Sequence, residues 1–118
     1  MQWLAKAHED LNAADVNIKE KLYSYAAFLL QQSTEKALKS ALIAEGKGLL
    51  RTHDCYVLAK AISSPQEVCV AAEKLSPYYS RTRYPDALPI SVTESDIRSL
   101  RTSAETIITW IMKKYSKK

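Results

Sequence analysis

Glycine is scarce in this sequence: the chain of 118 residues contains two, Gly46 and Gly48. The dinucleotide-binding pattern G-x-G-x-x-G and the phosphate-loop pattern G-x-x-x-x-G-K-[ST] need glycines at spacings that these two cannot supply. The two common glycine-based phosphate sites are therefore excluded.

Cysteine is equally rare, because Cys55 and Cys69 are the only two. They form no C-x-x-C pair, and His53 beside Cys55 is a poor signature for metal ligands. We interpret both cysteines as small, partly buried apolar residues of a protein in a reducing compartment. The sequence predicts no metal site and no cofactor.

Long hydrophobic runs are also missing. No apolar stretch approaches the roughly 20 residues that a membrane span needs. The short apolar start is followed at once by Lys6, which is unlike a signal peptide. An apolar fraction of 47% and a charged fraction of 25% are typical of a soluble globular domain. We predict a single domain over residues 1–118, located in the cytoplasm and not bound to a membrane.

The net charge of +4 comes from one end of the chain. The four lysines that account for it are Lys113, Lys114, Lys117 and Lys118. Without them, the number of Lys and Arg residues equals the number of Asp and Glu residues. Lysines there can complement the dipole of a C-terminal helix, or they can form a tail that binds nucleic acid. The body of the domain has no basic excess.

Apolar residues recur at steps of three and four along nearly the whole chain, which predicts helices. No segment alternates with period two for long enough to form a strand. The stretches that we predict to be helical are 4–18, 22–45, 54–62, 65–76 and 94–115. The sequence therefore predicts an all-α fold, an antiparallel up-down four-helix bundle with one additional short helix.

Several helix starts carry capping residues. Ser64 precedes Pro65, and together with Glu67 it has the pattern of a capping box. Thr93 and Asp96 form a second pattern of this type before the last helix. We also expect Thr52 or Asp54 to cap the short helix, and Gly46 to end the long second helix in a left-handed conformation.

One connection, from Pro77 to Val92, is longer than a compact bundle normally needs. Prolines 85 and 89 stiffen it, and its polar groups are Arg81, Arg83, Tyr84 and Asp86. The arginines suit a phosphate and the tyrosine can stack on a base. Alternatively, the aromatic and proline residues cover the end of the bundle and Asp86 pairs with Arg83.

Two further polar features are candidates for function. Gln32, Glu35, Lys36 and Lys39 share one face of the long second helix. They form either a wall of lysines facing the long connection or a solvated stripe with a Glu35–Lys39 ion pair. His53 is either a structural histidine or a general acid or base.

The motifs at these features resemble those of prokaryotic HEPN-domain proteins. The similar segments are residues 3–11, Gln31-Gln32-x-x-Glu35-Lys36-Ala37-x-Lys39, Thr52-His53-Asp54 and Arg83-Tyr84-Pro85-Asp86-Ala87. The resemblance implies an up-down helical bundle that is commonly a homodimer and associates with nucleotides or RNA. It also implies pairing with a minimal nucleotidyltransferase, as its partner or as the toxin of a toxin–antitoxin pair.

The chain departs from the ribonuclease members of that family, which carry an Arg-x4-6-His motif. Neither His8 nor His53 follows an arginine at that spacing. We therefore predict a non-catalytic module that binds a nucleotide, RNA or a nucleotidyltransferase partner, through the side chains of Lys36, Lys39, Arg81, Arg83, Tyr84 and Asp86. The alternatives are a metal-independent endoribonuclease with an altered site, in which His53 is the acid or base, and a purely structural assembly protein.

Overall fold

The computed structural model describes residues 2–79 and 91–115. These residues form α1 (Gln2–Lys19), α2 (Tyr23–Ala44), α3 (Cys55–Ala61), α4 (Gln66–Leu75) and α5 (Glu94–Tyr115). No strand occurs within the two described ranges. The predicted all-α helical bundle is confirmed. Arg81, Arg83, Tyr84 and Asp86 lie outside the described residues, as do Lys117 and Lys118.

Helix α2 is the centre of the bundle, since it packs against α1, α3, α4 and α5. Its buried residues therefore include polar as well as apolar side chains. The largest apolar side chains in the core include Leu30, Leu38 and Leu42 from α2, Leu58 from α3, Leu75 from α4 and Ile107 from α5. Trp3 and Trp110 are both partly buried, and Trp110 packs against the core and edge-on to Tyr115.

Most helix ends follow the capping predictions. The backbone N–H of Asp96 donates to Thr93 Oγ1 and that of Thr93 donates to Asp96 Oδ2, both at 3.0 Å, which confirms the capping box. Asp54 Oδ1 accepts from the N–H groups of Tyr56 and Val57 and so caps α3. Gly46 follows the last turn of α2 with a φ of +72°, the left-handed conformation that ends a helix.

The capping prediction for Ser64 is wrong. Pro65 is extended, with φ −65° and ψ 163°, so that α4 begins at Gln66 and Pro65 is the residue before it. The carbonyl of Pro65 accepts from the N–H groups of Val68 and Cys69 instead. The hydroxyl of Ser64 is buried and has no hydrogen-bond partner among the described residues.

Candidate functional site

The carboxylate of Glu35 lies at the centre of a buried polar cluster on α2. Its side chain is 6% exposed, and two groups reach Oε2: the ammonium of Lys39 at 2.8 Å and His53 Nδ1 at 3.0 Å. The side-chain amides of Gln31 and Gln32 donate to Oε1 at 3.1 and 3.4 Å. Because all four groups converge on one carboxylate, Glu35 fixes the positions of its neighbours.

Gln31 connects this cluster to the segment before α3. Its fully buried amide also donates to the backbone oxygen of His53 at 2.9 Å, and its own Oε1 accepts from Gln32 at 2.8 Å. A backbone oxygen can only accept, so this contact sets the orientation of the amide. Gln31 therefore holds the backbone at residue 53 against α2.

His53 is the member of the cluster that reaches the surface, with a side chain 52% exposed. Its ring stacks on Tyr79, with centroids 3.9 Å apart and planes 9° apart. Both rings line an open depression of about 340 Å³ together with Asp54, Ser76 and Pro77. The chain positions that follow Tyr79 contain Arg81, Arg83 and Tyr84. The depression is thus next in sequence to the candidate phosphate-binding side chains.

Both candidate lysines of α2 are neutralised by a carboxylate. Lys36 Nζ lies 2.6 Å from Asp10 Oδ2 of α1, and Lys39 pairs with Glu35. Lys39 also lies above the ring of Trp3, at 5.7 Å from its centroid. The predicted Glu35–Lys39 ion pair is confirmed. The interpretation as a solvated stripe is wrong for Glu35 and Lys39, which are both buried. Helix α1 and the segment before α3 cover that face of α2.

Cys55 contacts the cluster but has no reactive thiol. It is completely buried, its Sγ lies 3.7 Å from the amide nitrogen of Gln31, and it forms no disulfide. Burial raises the pKa of this thiol well above its ordinary value, and the negative charge of Glu35 raises it further. A protonated thiol is neither a nucleophile nor a metal ligand. Both cysteines are free, and both are more deeply buried than the partial burial predicted from the sequence.

Residues 2–79 and 91–115 contain neither a cluster of metal-ligating side chains nor a membrane-spanning helix. No group of three His, Cys, Asp or Glu side chains there could hold a metal ion. None of the helices in residues 2–79 and 91–115 combines the length and apolar character that a transmembrane segment requires.

The helical spacing places Glu35, Lys36 and Lys39 on one face of α2, but it does not bring His53 to that face. Gln31 and Tyr79 are also parts of the site, but they were not predicted from the sequence. The sequence does contain a signal for Gln31: it lies four residues before Glu35, and side chains at this spacing are neighbours on a helix. No local pattern indicates that Tyr79 stacks on His53, because 26 positions separate them.

The comparisons with known proteins cover nearly the whole chain. The model of the HEPN domain matches residues 1–115. No curated protein matches the chain. The crystal structure of TT1696 from Thermus thermophilus is similar, with 29% identity and a TM-score of 0.86 over 96% of this chain and 95% of that one.

Two further crystal structures have the same fold. ST0689, described as an archaeal HEPN homologue, shows 28% identity and a TM-score of 0.83 over 97% of this chain and 95% of its own. A HEPN domain protein from Thermotoga maritima shows 23% identity and a TM-score of 0.80 over 100% of both chains, which supports the fold alone. With a domain match over residues 1–115, the chain belongs to the HEPN family.

Proposed function

We propose that this HEPN domain is a non-catalytic binding module that holds a nucleotide, free or within RNA, at the depression that His53 and Tyr79 line. The observation that carries the proposal is the stacked, half-exposed His53 ring, which the buried Glu35 carboxylate holds at the edge of that depression. A flat ring pair of this kind offers a surface for a base. Arg81 and Arg83, which follow Tyr79 in sequence, supply the phosphate contacts.

The ion pairs of α2 argue against a direct contact of Lys36 and Lys39 with a phosphate. Lys36 and Lys39 each face a carboxylate at 2.8 Å or less, so their charge is already compensated. We therefore assign them to the scaffold of the site and the phosphate contact to the arginines. Tyr84 and Asp86 remain proposed ligand contacts from the same segment.

The binding proposal is tested by calorimetry with ATP and with a short single-stranded RNA. We expect both to bind the wild-type protein, and Arg83→Ala to weaken binding about tenfold because it removes a charge-assisted phosphate contact. Arg98→Ala is the matched control, since Arg98 is an exposed arginine of α5 that pairs only with Glu94 among the described residues. If neither ligand binds the wild-type protein, the nucleotide-binding proposal is rejected. The result would then favour the alternative of a purely structural assembly protein.

Family membership supports two proposals about partners. We propose that the domain is a cytoplasmic homodimer and that it acts beside a minimal nucleotidyltransferase, as one half of a toxin–antitoxin-like pair. A two-fold contact between identical faces is the usual solution for such a dimer. Sedimentation of the pure protein at micromolar concentration tests the proposed homodimer. A monomer at that concentration would contradict it.

A metal-independent endoribonuclease is the second candidate function. The specific observation in its favour is the Glu35–His53 contact at 3.0 Å. A carboxylate on one imidazole nitrogen, with the other nitrogen toward the substrate, is how acid–base histidines are oriented in many hydrolases. Arg81 or Arg83 would stabilise the charge that develops on the phosphate.

The cleavage of a labelled RNA in the presence of a chelator tests this second function. If the protein is a ribonuclease of this kind, His53→Ala should lower the rate about a hundredfold, the loss typical of a general acid or base. His8→Ala is the control, because His8 is the other histidine and lies on α1. Equal rates for wild type and His53→Ala would remove His53 from the mechanism.

A further inference from the structure

We infer that the neutral imidazole of His53 is held in a single tautomer, with its proton on Nδ1 and a lone pair on Nε2, and that this form of the site accepts a hydrogen bond from a neutral donor of its ligand. The ligand half of this inference rests on the proposed function. The tautomer half rests on the buried cluster alone.

The partner of Nδ1 decides where the proton lies. Glu35 Oε2 lies 3.0 Å from this nitrogen, and an ionised carboxylate can only accept hydrogen bonds. The ammonium of Lys39 donates to the same oxygen at 2.8 Å, so this oxygen already acts as an acceptor. Gln31 donates to the other oxygen. Nδ1 must therefore be the donor, and in a neutral imidazole Nε2 then has the lone pair.

The same contacts prevent the ring from turning over. A flip would place a carbon of the ring against the carboxylate and lose the hydrogen bond. Tyr79 covers one face of the ring at 3.9 Å, and Gln31 holds the backbone of residue 53. The ring can thus neither flip nor slide without breaking contacts with α2 and with Tyr79.

Nε2 is the edge of this ring that is left for a ligand. The His53 side chain is half-exposed and its Nδ1 is occupied by the buried Glu35 carboxylate, so Nε2 is the ring nitrogen that we assign to the ligand. Nε2 has no hydrogen-bond partner within residues 2–79 and 91–115. His53 and Tyr79 both line the 340 Å³ depression.

This geometry selects the chemistry of the contact. Phosphate oxygens are acceptors at neutral pH and cannot bond to a lone pair. The exocyclic amine of a base and a ribose hydroxyl are neutral donors and can. A nucleotide that carries either group toward His53 is therefore favoured, while its phosphates bind elsewhere.

Nitrogen NMR of the imidazole rings tests the tautomer without any ligand. In mildly alkaline buffer, long-range proton–nitrogen correlations of the wild-type protein should show the Nδ1-protonated pattern for one histidine. The His8→Ala variant assigns that signal, since the chain has two histidines. An Nε2-protonated ring in the wild type would overturn the inference, whatever the protein binds.

Nucleotide analogues test the acceptor. Purine riboside triphosphate lacks the amine of ATP, and 2′-deoxyATP lacks one ribose hydroxyl. We expect one of the two to bind the wild type about five- to tenfold more weakly than ATP, and to bind His53→Ala as well as ATP does.

The pattern of results separates the two proposals. Equal affinity of the wild type for ATP and both analogues would overturn the acceptor role while the proposed function stands. If ATP does not bind at all, the acceptor role fails together with the proposed function, and the NMR result still decides the tautomer. Preference for the amine points to the base as donor, and preference for the hydroxyl points to the ribose.

Discussion

Glu35→Leu should lower the free energy of unfolding by about 3–5 kcal/mol, because it leaves the ammonium of Lys39 buried without its counter-ion. The side chain of Lys39 is 11% exposed, and among the described residues its ammonium forms an ion pair with Glu35. The double variant Glu35→Leu/Lys39→Met removes both charges, and its loss should be at least about 2 kcal/mol smaller than the sum of the two single losses. Urea denaturation at one protein concentration measures all three variants.

The chain contains a matched control for this cycle. Glu94 and Arg98 have the same spacing and the same order along α5, but their side chains are 66% and 72% exposed. The corresponding cycle there should give a coupling of about 0.5 kcal/mol or less, since solvent screens an exposed pair. A coupling on α2 no larger than that on α5 would show that water reaches the Glu35 cluster.

The helices could be predicted because their signals are local. The periodic apolar pattern predicted the central helix at 22–45, and the structure has it at Tyr23–Ala44. The capping box of Thr93 and Asp96 is confirmed because both partners lie within one turn. The Ser64 box failed for an equally local reason, since extended Pro65 shifts the start of α4 to Gln66.

The candidate site was only partly predictable. The spacing of Glu35 and Lys39 gives their ion pair, because residues four apart are neighbours on a helix. It cannot give their burial, which comes from Trp3 on α1 and from His53 before α3. Both are distant in sequence, and their approach to α2 depends on how whole helices pack. The stack of His53 on Tyr79 also joins residues that are distant in sequence, so local spacing cannot predict it.

Leu38→Ala should lower the free energy of unfolding by about 3–4 kcal/mol. Leu38 is completely buried in the core of α2, the helix that packs against α1, α3, α4 and α5. Truncation loses the transfer free energy of the side chain and leaves a cavity in the packed core. Urea denaturation at fixed protein concentration measures the change, since any self-association would make the midpoint depend on concentration.

Leu49→Ala is the control for this substitution, because the same atoms are removed from a side chain that is 50% exposed after α2. We expect a loss of about 0.5 kcal/mol or less there. A loss below about 1.5 kcal/mol for Leu38→Ala would mean that the helices around α2 collapse into the cavity. That result would contradict a rigid scaffold for Glu35, which lies one turn earlier on the same helix. A large loss at Leu38 with a small one at Leu49 supports the rigid support that a fixed His53 ring requires.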